Sequence, residues 1–168
     1  MCFCYNDYKS GCIIMCYIDK LKNQIVCLVE KQKYIKISSI TSKDHGIKTT
    51  YKQGLYFLYE DSNQPVYIGK IGDFKNTSLY SRLIGHGSGA HNKEFWFKAI
   101  KKCKFKSITG LDNKQLFQIE RLAISAKNPK YNDTKVSIDE AQDIISIIPP
   151  LYKVIIFIRV PRRGSFNL

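Results

Sequence analysis

Two short runs, Gly54-Leu55-Tyr56-Phe57-Leu58-Tyr59 and Pro65-Val66-Tyr67-Ile68-Gly69, stand on either side of the polar stretch Glu60 to Gln64. Aromatic and branched residues bracketing an Asp-Ser-Asn turn satisfy their backbone groups most simply as an antiparallel hairpin, so the fold must build a sheet around this pair. Further apolar runs at 12–18, 24–30 and 33–40, separated by Asp19-Lys20-Leu21-Lys22-Asn23 and Lys31-Gln32, predict three N-terminal strands in a meander.

Beyond the hairpin the periodicity changes to that of helices. A short helix is expected from Ser78 to Gly85, ended by the permissive Gly85-His86-Gly87-Ser88-Gly89 segment. A second is expected from Asn92 to Lys102, with Phe95, Trp96, Ala99 and Ile100 as its apolar stripe and its lysines outward. The next has the clearest limits: Asp112 and Gln115 form a capping box, and Pro129 stops it. Ser137 and Glu140 predict a last helix over 137–148, stopped by Pro149-Pro150, and Tyr152 to Val160 reads as a final strand.

One residue breaks the pattern of the capped helix. Glu120 has Leu116 and Phe117 one turn before it and Ala123 and Ile124 one turn after it. A carboxylate on an apolar face is costly unless something pairs with it. It reads either as a salt-bridged helix glutamate or as a ligand.

Composition narrows the partners. The 168 residues carry 27 Lys plus Arg against 14 Asp plus Glu, a formal net charge of +13, and residues 51–136 hold eight of those net charges. Such an excess favours a nucleic acid or another anionic surface without naming either. Lys98, Lys101, Lys102, Lys104 and Lys106 follow one another with no acid between them, either a phosphate-contacting run or a solvated helix face. The length suits one domain with its own core.

Of six cysteines, Cys2, Cys4, Cys12, Cys16 and Cys27 lie near the N-terminus. On a strand, Cys12 and Cys16 would be about 13 Å apart, too far for a disulfide or one zinc ion. Buried or half-buried free thiols are expected, as in a reducing compartment. No stretch is apolar enough to span a bilayer and no secretory leader is evident, so the expectation is an intracellular chain, cytoplasmic or, if eukaryotic or viral, nuclear, with no membrane partner.

The hairpin triplets Gly54-Leu55-Tyr56 and Tyr67-Ile68-Gly69 resemble the signature of the GIY-YIG nuclease family, with Leu in place of Ile in the first. Leu79-Tyr80-Ser81-Arg82-Leu83, then Glu120 in Ile119-Glu120-Arg121-Leu122, then Asn128-Pro129-Lys130-Tyr131-Asn132 follow in the family's order. The resemblance covers residues 54–135, about half of the chain. It implies an α+β fold, a three-stranded antiparallel sheet flanked by helices, here with additional N-terminal and C-terminal strands. The expected organisation is a single nuclease domain over 1–168: a β-rich extension at 1–50, the catalytic core at 54–135 and a helix-strand extension at 136–168.

The resemblance also implies an activity, metal-dependent cleavage of DNA to 5′-phosphate and 3′-hydroxyl ends. Tyr56, Tyr67, Arg82, Glu120 and Asn132 fall on the characteristic positions. Glu120 would hold Mg²⁺ or Mn²⁺, with water and a phosphate oxygen completing the shell. Arg82 offers a fixed positive fork to phosphate. Tyr56 is the expected general base, which requires nearby positive charge or a relay, because a phenol is ordinarily a poor base near neutrality. Lys70 or His86 would supply it. Tyr67 would orient water or phosphate, and Asn132 would fix loops by hydrogen bonding. The size suits a restriction-like enzyme, which would act as a homodimer on a palindromic site. The alternatives are a structure-specific repair nuclease and a non-catalytic nucleic-acid-binding module.

Overall fold

The computed structural model describes residues 9–41, 53–72, 77–87 and 94–132. The chain divides into a unit Met1–Val136, which contains all of these, and a unit Ser137–Leu168. The helix expected at 137–148 and the strand at 152–160 lie outside the described residues.

The hairpin forms as the sequence predicts. Strand β2 (Gly54–Tyr59) pairs antiparallel with β3 (Tyr67–Ile71), placing Tyr56 opposite Gly69. On its other side β2 pairs antiparallel with β4 (Lys102–Ser107), Tyr56 opposite Phe105. A two-residue strand β1 (Ile35–Lys36) adds to the outer edge of β4, giving the order β1-β4-β2-β3. The fold is therefore mixed α+β, with helices flanking a four-stranded antiparallel sheet. Every residue of β2 is buried, which explains its unbroken apolar run: a central strand covered on both faces has no solvent side to make polar.

Alternation along the strands sorts the two cores. On one face, Tyr56, Leu58, Ile71, Cys103 and Phe105 cluster with Leu79 and Leu83 of α3 (Leu79–Gly87) and with Trp96 and Ile100. Ile37 and Ile40 of α2 (Ile37–Thr41) join this cluster. The other face is covered by α1 (Lys9–Glu30) and α4 (Asn113–Lys127), which pack on each other and on the sheet.

The N-terminal meander is not formed. A single 22-residue helix, α1, occupies the place of the strands expected at 12–18 and 24–30. Ile18, Leu21, Ile25 and Val29 are buried at helical spacing while Asp19, Lys20 and Asn23 are exposed. The supposed turn at 19–23 contains neither Gly nor Pro, and its Leu21 is a core residue at 1% exposure. A helix passes through it without cost, and the Lys22–Asp19 pair at 3.3 Å spans one turn. The third expected strand, 33–40, survives only as β1 followed by the turn α2. Cys12 and Cys16 therefore both belong to a helix, and Cys16 and Cys27 are exposed rather than buried, whereas Cys103 is a core residue.

The helix expected from Asn92 to Lys102 is also replaced. A 3₁₀ segment, Glu94–Ala99, gives way to β4. The run Lys102-Cys103-Lys104-Phe105-Lys106 alternates with period two; Cys103 and Phe105 are buried and the three lysines are half-buried on the opposite face. Helix α4 has the predicted limits. Asp112 Oδ1 accepts from Gln115 N–H at 2.8 Å and Gln115 Oε1 accepts from Asp112 N–H at 3.0 Å. Asn128 closes the helix in the left-handed region at φ 45°, donating to the Ile124 carbonyl at 2.7 Å, and Pro129 prevents continuation. Among the described residues, no helix is long and apolar enough to cross a membrane.

Candidate active site

Among the described residues, strand β3 is an edge of the sheet, and the candidate site is assembled around it. The glycines of both triplets have steric causes. A β-carbon at Gly69 would collide with the ring and hydroxyl of Tyr56, so only glycine lets that side chain lie across β3. A β-carbon at Gly54 would run into the Lys106 carbonyl on the paired strand.

With Gly69 empty, the Tyr56 hydroxyl reaches α3. Its Oη lies 3.0 Å from His86 Nε2. Arg82, one turn earlier on α3, is exposed. Tyr67 stands on the same sheet face as Tyr56, their ring centroids 6.1 Å apart, and its ring meets His86 edge-on at 5.0 Å. Aromatic packing fixes these groups from behind: Trp96 stacks on Tyr67 at 5.1 Å and on Tyr131 at 4.8 Å, and Phe97 stacks on His86 at 5.9 Å.

The opposite side of β3 contributes Lys70, which the pairing with Leu55 turns toward α4, and Glu120. An edge strand leaves alternate main-chain groups unpaired. Here Asn132 clamps Ile68, its Oδ1 accepting the Ile68 N–H at 2.8 Å and its Nδ2 donating to the Ile68 carbonyl at 2.8 Å. Glu120 takes a hydrogen bond from the Lys70 main chain, two residues along. Asn132 is thus a positioning residue for β3, and it does not line the pocket. That pocket, open and about 210 Å³ in volume, is lined by Tyr56, Tyr67, Lys70, Arg82, His86, Phe117 and Glu120.

Burial is the principal influence on the titration of both Tyr56 and Glu120. It pushes the Tyr56 phenol well above its usual 10, with Tyr67 and Glu120 acting in the same direction and Arg82 against them. The Tyr56 phenol is therefore held in its protonated form, and of the two groups expected beside it His86 is the one within hydrogen-bonding distance of its hydroxyl. Burial likewise raises Glu120 from the usual 4.5 to about 7, although the Lys70 charge, the Lys70 main chain and Arg82 all pull it down. The carboxylate sits at the margin of the apolar face of α4: Leu116 and Ala123 are buried, while Phe117 is 41% exposed.

Among the described residues, no three His, Cys, Asp or Glu side chains gather into a metal-binding group. A hard divalent ion such as Mg²⁺ needs fewer, keeping most of its waters and taking one or two carboxylates. Glu120 is the one carboxylate lining the open pocket, and a single carboxylate is enough for such an ion.

None of the five lysines lines the pocket. Lys98 and Lys101 are exposed around the 3₁₀ segment. Lys102 and Lys104 project over the Tyr34 ring at 4.4 and 4.3 Å, and Lys104 also donates to the Glu30 carbonyl. Lys106 is half-buried on β4. Sequence reasoning missed three contributors: Phe117 in the pocket wall, and Trp96 and Tyr131 behind Tyr67. The apolar spacing that marks Trp96 as core carries no sign that it backs a site.

No family model, curated protein or solved structure matches the chain.

Proposed function

We propose that the chain is a divalent-metal-dependent DNA endonuclease with a GIY-YIG-type site, hydrolysing phosphodiesters to 5′-phosphate and 3′-hydroxyl ends. The observation that carries this reading is the gathering of Tyr56, Tyr67, Lys70, Arg82, His86 and Glu120 from β2, β3, α3 and α4 around one open pocket. A separate structural or binding role gives no reason for one carboxylate, two phenols, an imidazole and two cations to share that wall.

The Arg82 guanidinium, exposed at the pocket, takes the phosphate oxygens in its planar fork, and Lys70 adds a second positive charge. Tyr56 passes its phenolic proton to His86 Nε2 as it receives one from the attacking water, so the buried phenol need not persist as phenolate. Tyr67, backed by Trp96, orients the water or phosphate. Glu120 would hold the metal, which when bound supplies Lewis-acid charge to the phosphate and the departing 3′ oxygen. Asn132 keeps β3, and with it Tyr67 and Lys70, in register. A restriction-like member would act as a homodimer, one site per strand.

End-group analysis tests the chemistry. Labelled duplex, single-stranded and branched oligonucleotides are incubated with Mg²⁺ or Mn²⁺ beside an Arg82→Ala variant. Fragments with 5′-phosphate and 3′-hydroxyl ends, greatly reduced in the variant, are expected. Fragments with 3′-phosphate ends, or equal cutting by Arg82→Ala, would overturn the assignment.

A further inference from the structure

Phe117 is the one residue of the pocket wall that phosphodiester chemistry leaves without work. It is 41% exposed, one of the three large apolar side chains exposed among the described residues. The buried face of α4 runs through Leu116, Ile119, Leu122 and Ala123, and Phe117 lies outside it. It stands one turn before Glu120, and the Lys70 ammonium and Arg121 guanidinium lie 5.8 and 5.4 Å from its ring centroid. A partly exposed aromatic ring with two cations over it, in the wall of an open pocket also lined by Arg82, has the composition of a nucleobase platform: the ring takes the base and the cations take its phosphates.

We infer that Phe117 is a stacking platform for an unpaired nucleobase next to the phosphate held by Arg82. The inference rests on the nucleic-acid reading of the pocket and deepens it, because a paired base inside a duplex offers no free face for an aromatic ring to cover. The preferred substrate is then DNA with a single-stranded, looped or branched segment at the cleavage point, or a duplex from which one nucleotide is drawn out.

The test measures binding without cleavage, using the full chain in a chelator and fluorescent oligonucleotides of one sequence, single-stranded and duplex, at one ionic strength. Phe117→Ala should weaken single-strand binding by about tenfold or more and duplex binding by less than about twofold, while Phe117→Trp should retain single-strand binding. A 2-aminopurine in the single strand should be quenched on binding to the wild type and not to Phe117→Ala. Thermal melting of each variant separates a lost contact from a lost fold. Equal loss on both DNA forms, no loss on either, or no recovery in Phe117→Trp would overturn the platform. The cleavage reading is scored separately, by nicking with Mg²⁺. A wild type that nicks DNA while Phe117→Ala binds single strands normally refutes the platform alone. A wild type that never nicks, with the predicted binding loss intact, refutes cleavage and supports the platform.

Discussion

Replacing Glu120 by Gln removes one charge and little else, and its effect on stability should depend on pH in a way that separates a functional carboxylate from a structural one. The folded protein holds the Glu120 proton more tightly than the unfolded chain does, with a pKa of about 7 against the usual 4.5. Between those values the folded state binds more protons, so stability falls as pH rises through the window. Each pH unit of displacement corresponds to about 1.4 kcal/mol, or about 3 kcal/mol over the whole interval. Water reaching the half-buried carboxylate from the open pocket reduces this to about 1–2 kcal/mol. Glu120→Gln should therefore match the wild type near pH 4.5 and be the more stable protein at pH 8 by that amount, roughly 2–8 °C in melting temperature. Denaturant and thermal unfolding across this range provide the assay. Added Mg²⁺ should stabilise the wild type at pH 8 and leave Glu120→Gln unchanged, since an ion bound only by the folded state shifts the equilibrium toward it. A variant less stable than the wild type at pH 8 would refute the reasoning, for it would mean that the pairing of Glu120 with Lys70 and Arg82 outweighs the cost of burying its charge.

Other positions give sharper geometric tests. Gly69→Ala forces a methyl group into the Tyr56 ring and should cost about 1–3 kcal/mol along with most of the activity; Gly85→Ala, where a methyl group meets open space on α3, should be neutral or stabilising by up to about 1 kcal/mol. Comparable unfolding curves for the two would contradict the close approach at Gly69. Asn132→Ala leaves both Ile68 main-chain groups unpaired and should cost about 1–3 kcal/mol, and Asn132→Asp, which has lost the donor to the Ile68 carbonyl, should recover only part of it. Amide exchange at Ile68 reads this directly, and unchanged protection in Asn132→Ala would sink the clamp. His86→Ala should lower single-turnover cleavage by about 10²–10⁴-fold with DNA affinity retained. A proportionate loss of affinity would make His86 a binding group instead of a relay.

The parts of this architecture that were legible in the sequence are those written locally. The hairpin is announced by its turn, and α4 by a capping box and a following proline, so both form at the expected residues. Helix α1 was misread because its apolar residues come in runs that also fit strands. Only Leu21, buried in the middle of an apparently polar turn, carries the helical spacing across the gap. Strand β4 was hidden by its lysines, which are poor strand formers individually but are tolerated where their aliphatic stems can lie along a sheet face. At the site, the residue whose chemistry is exceptional for its surroundings was readable, a carboxylate on an apolar helix, whereas the need for glycine opposite Tyr56 shows only once β2 and β3 pair. Trp96, Tyr131 and Phe117 were not readable, because a stacking partner is indistinguishable from core until the segments meet, and an exposed phenylalanine looks like a buried one in sequence.

The central claim, that Glu120 holds the metal with which this pocket cuts DNA, is tested most directly by the single-turnover nicking of supercoiled plasmid by purified wild type and Glu120→Gln as Mg²⁺ is titrated. The account predicts Mg²⁺-dependent conversion to nicked and linear forms by the wild type, abolished in a variant that binds the plasmid equally well and is at least as stable at pH 8. Nicking by Glu120→Gln at the wild-type rate, or a wild type that leaves the plasmid supercoiled with every divalent ion tried, would contradict it.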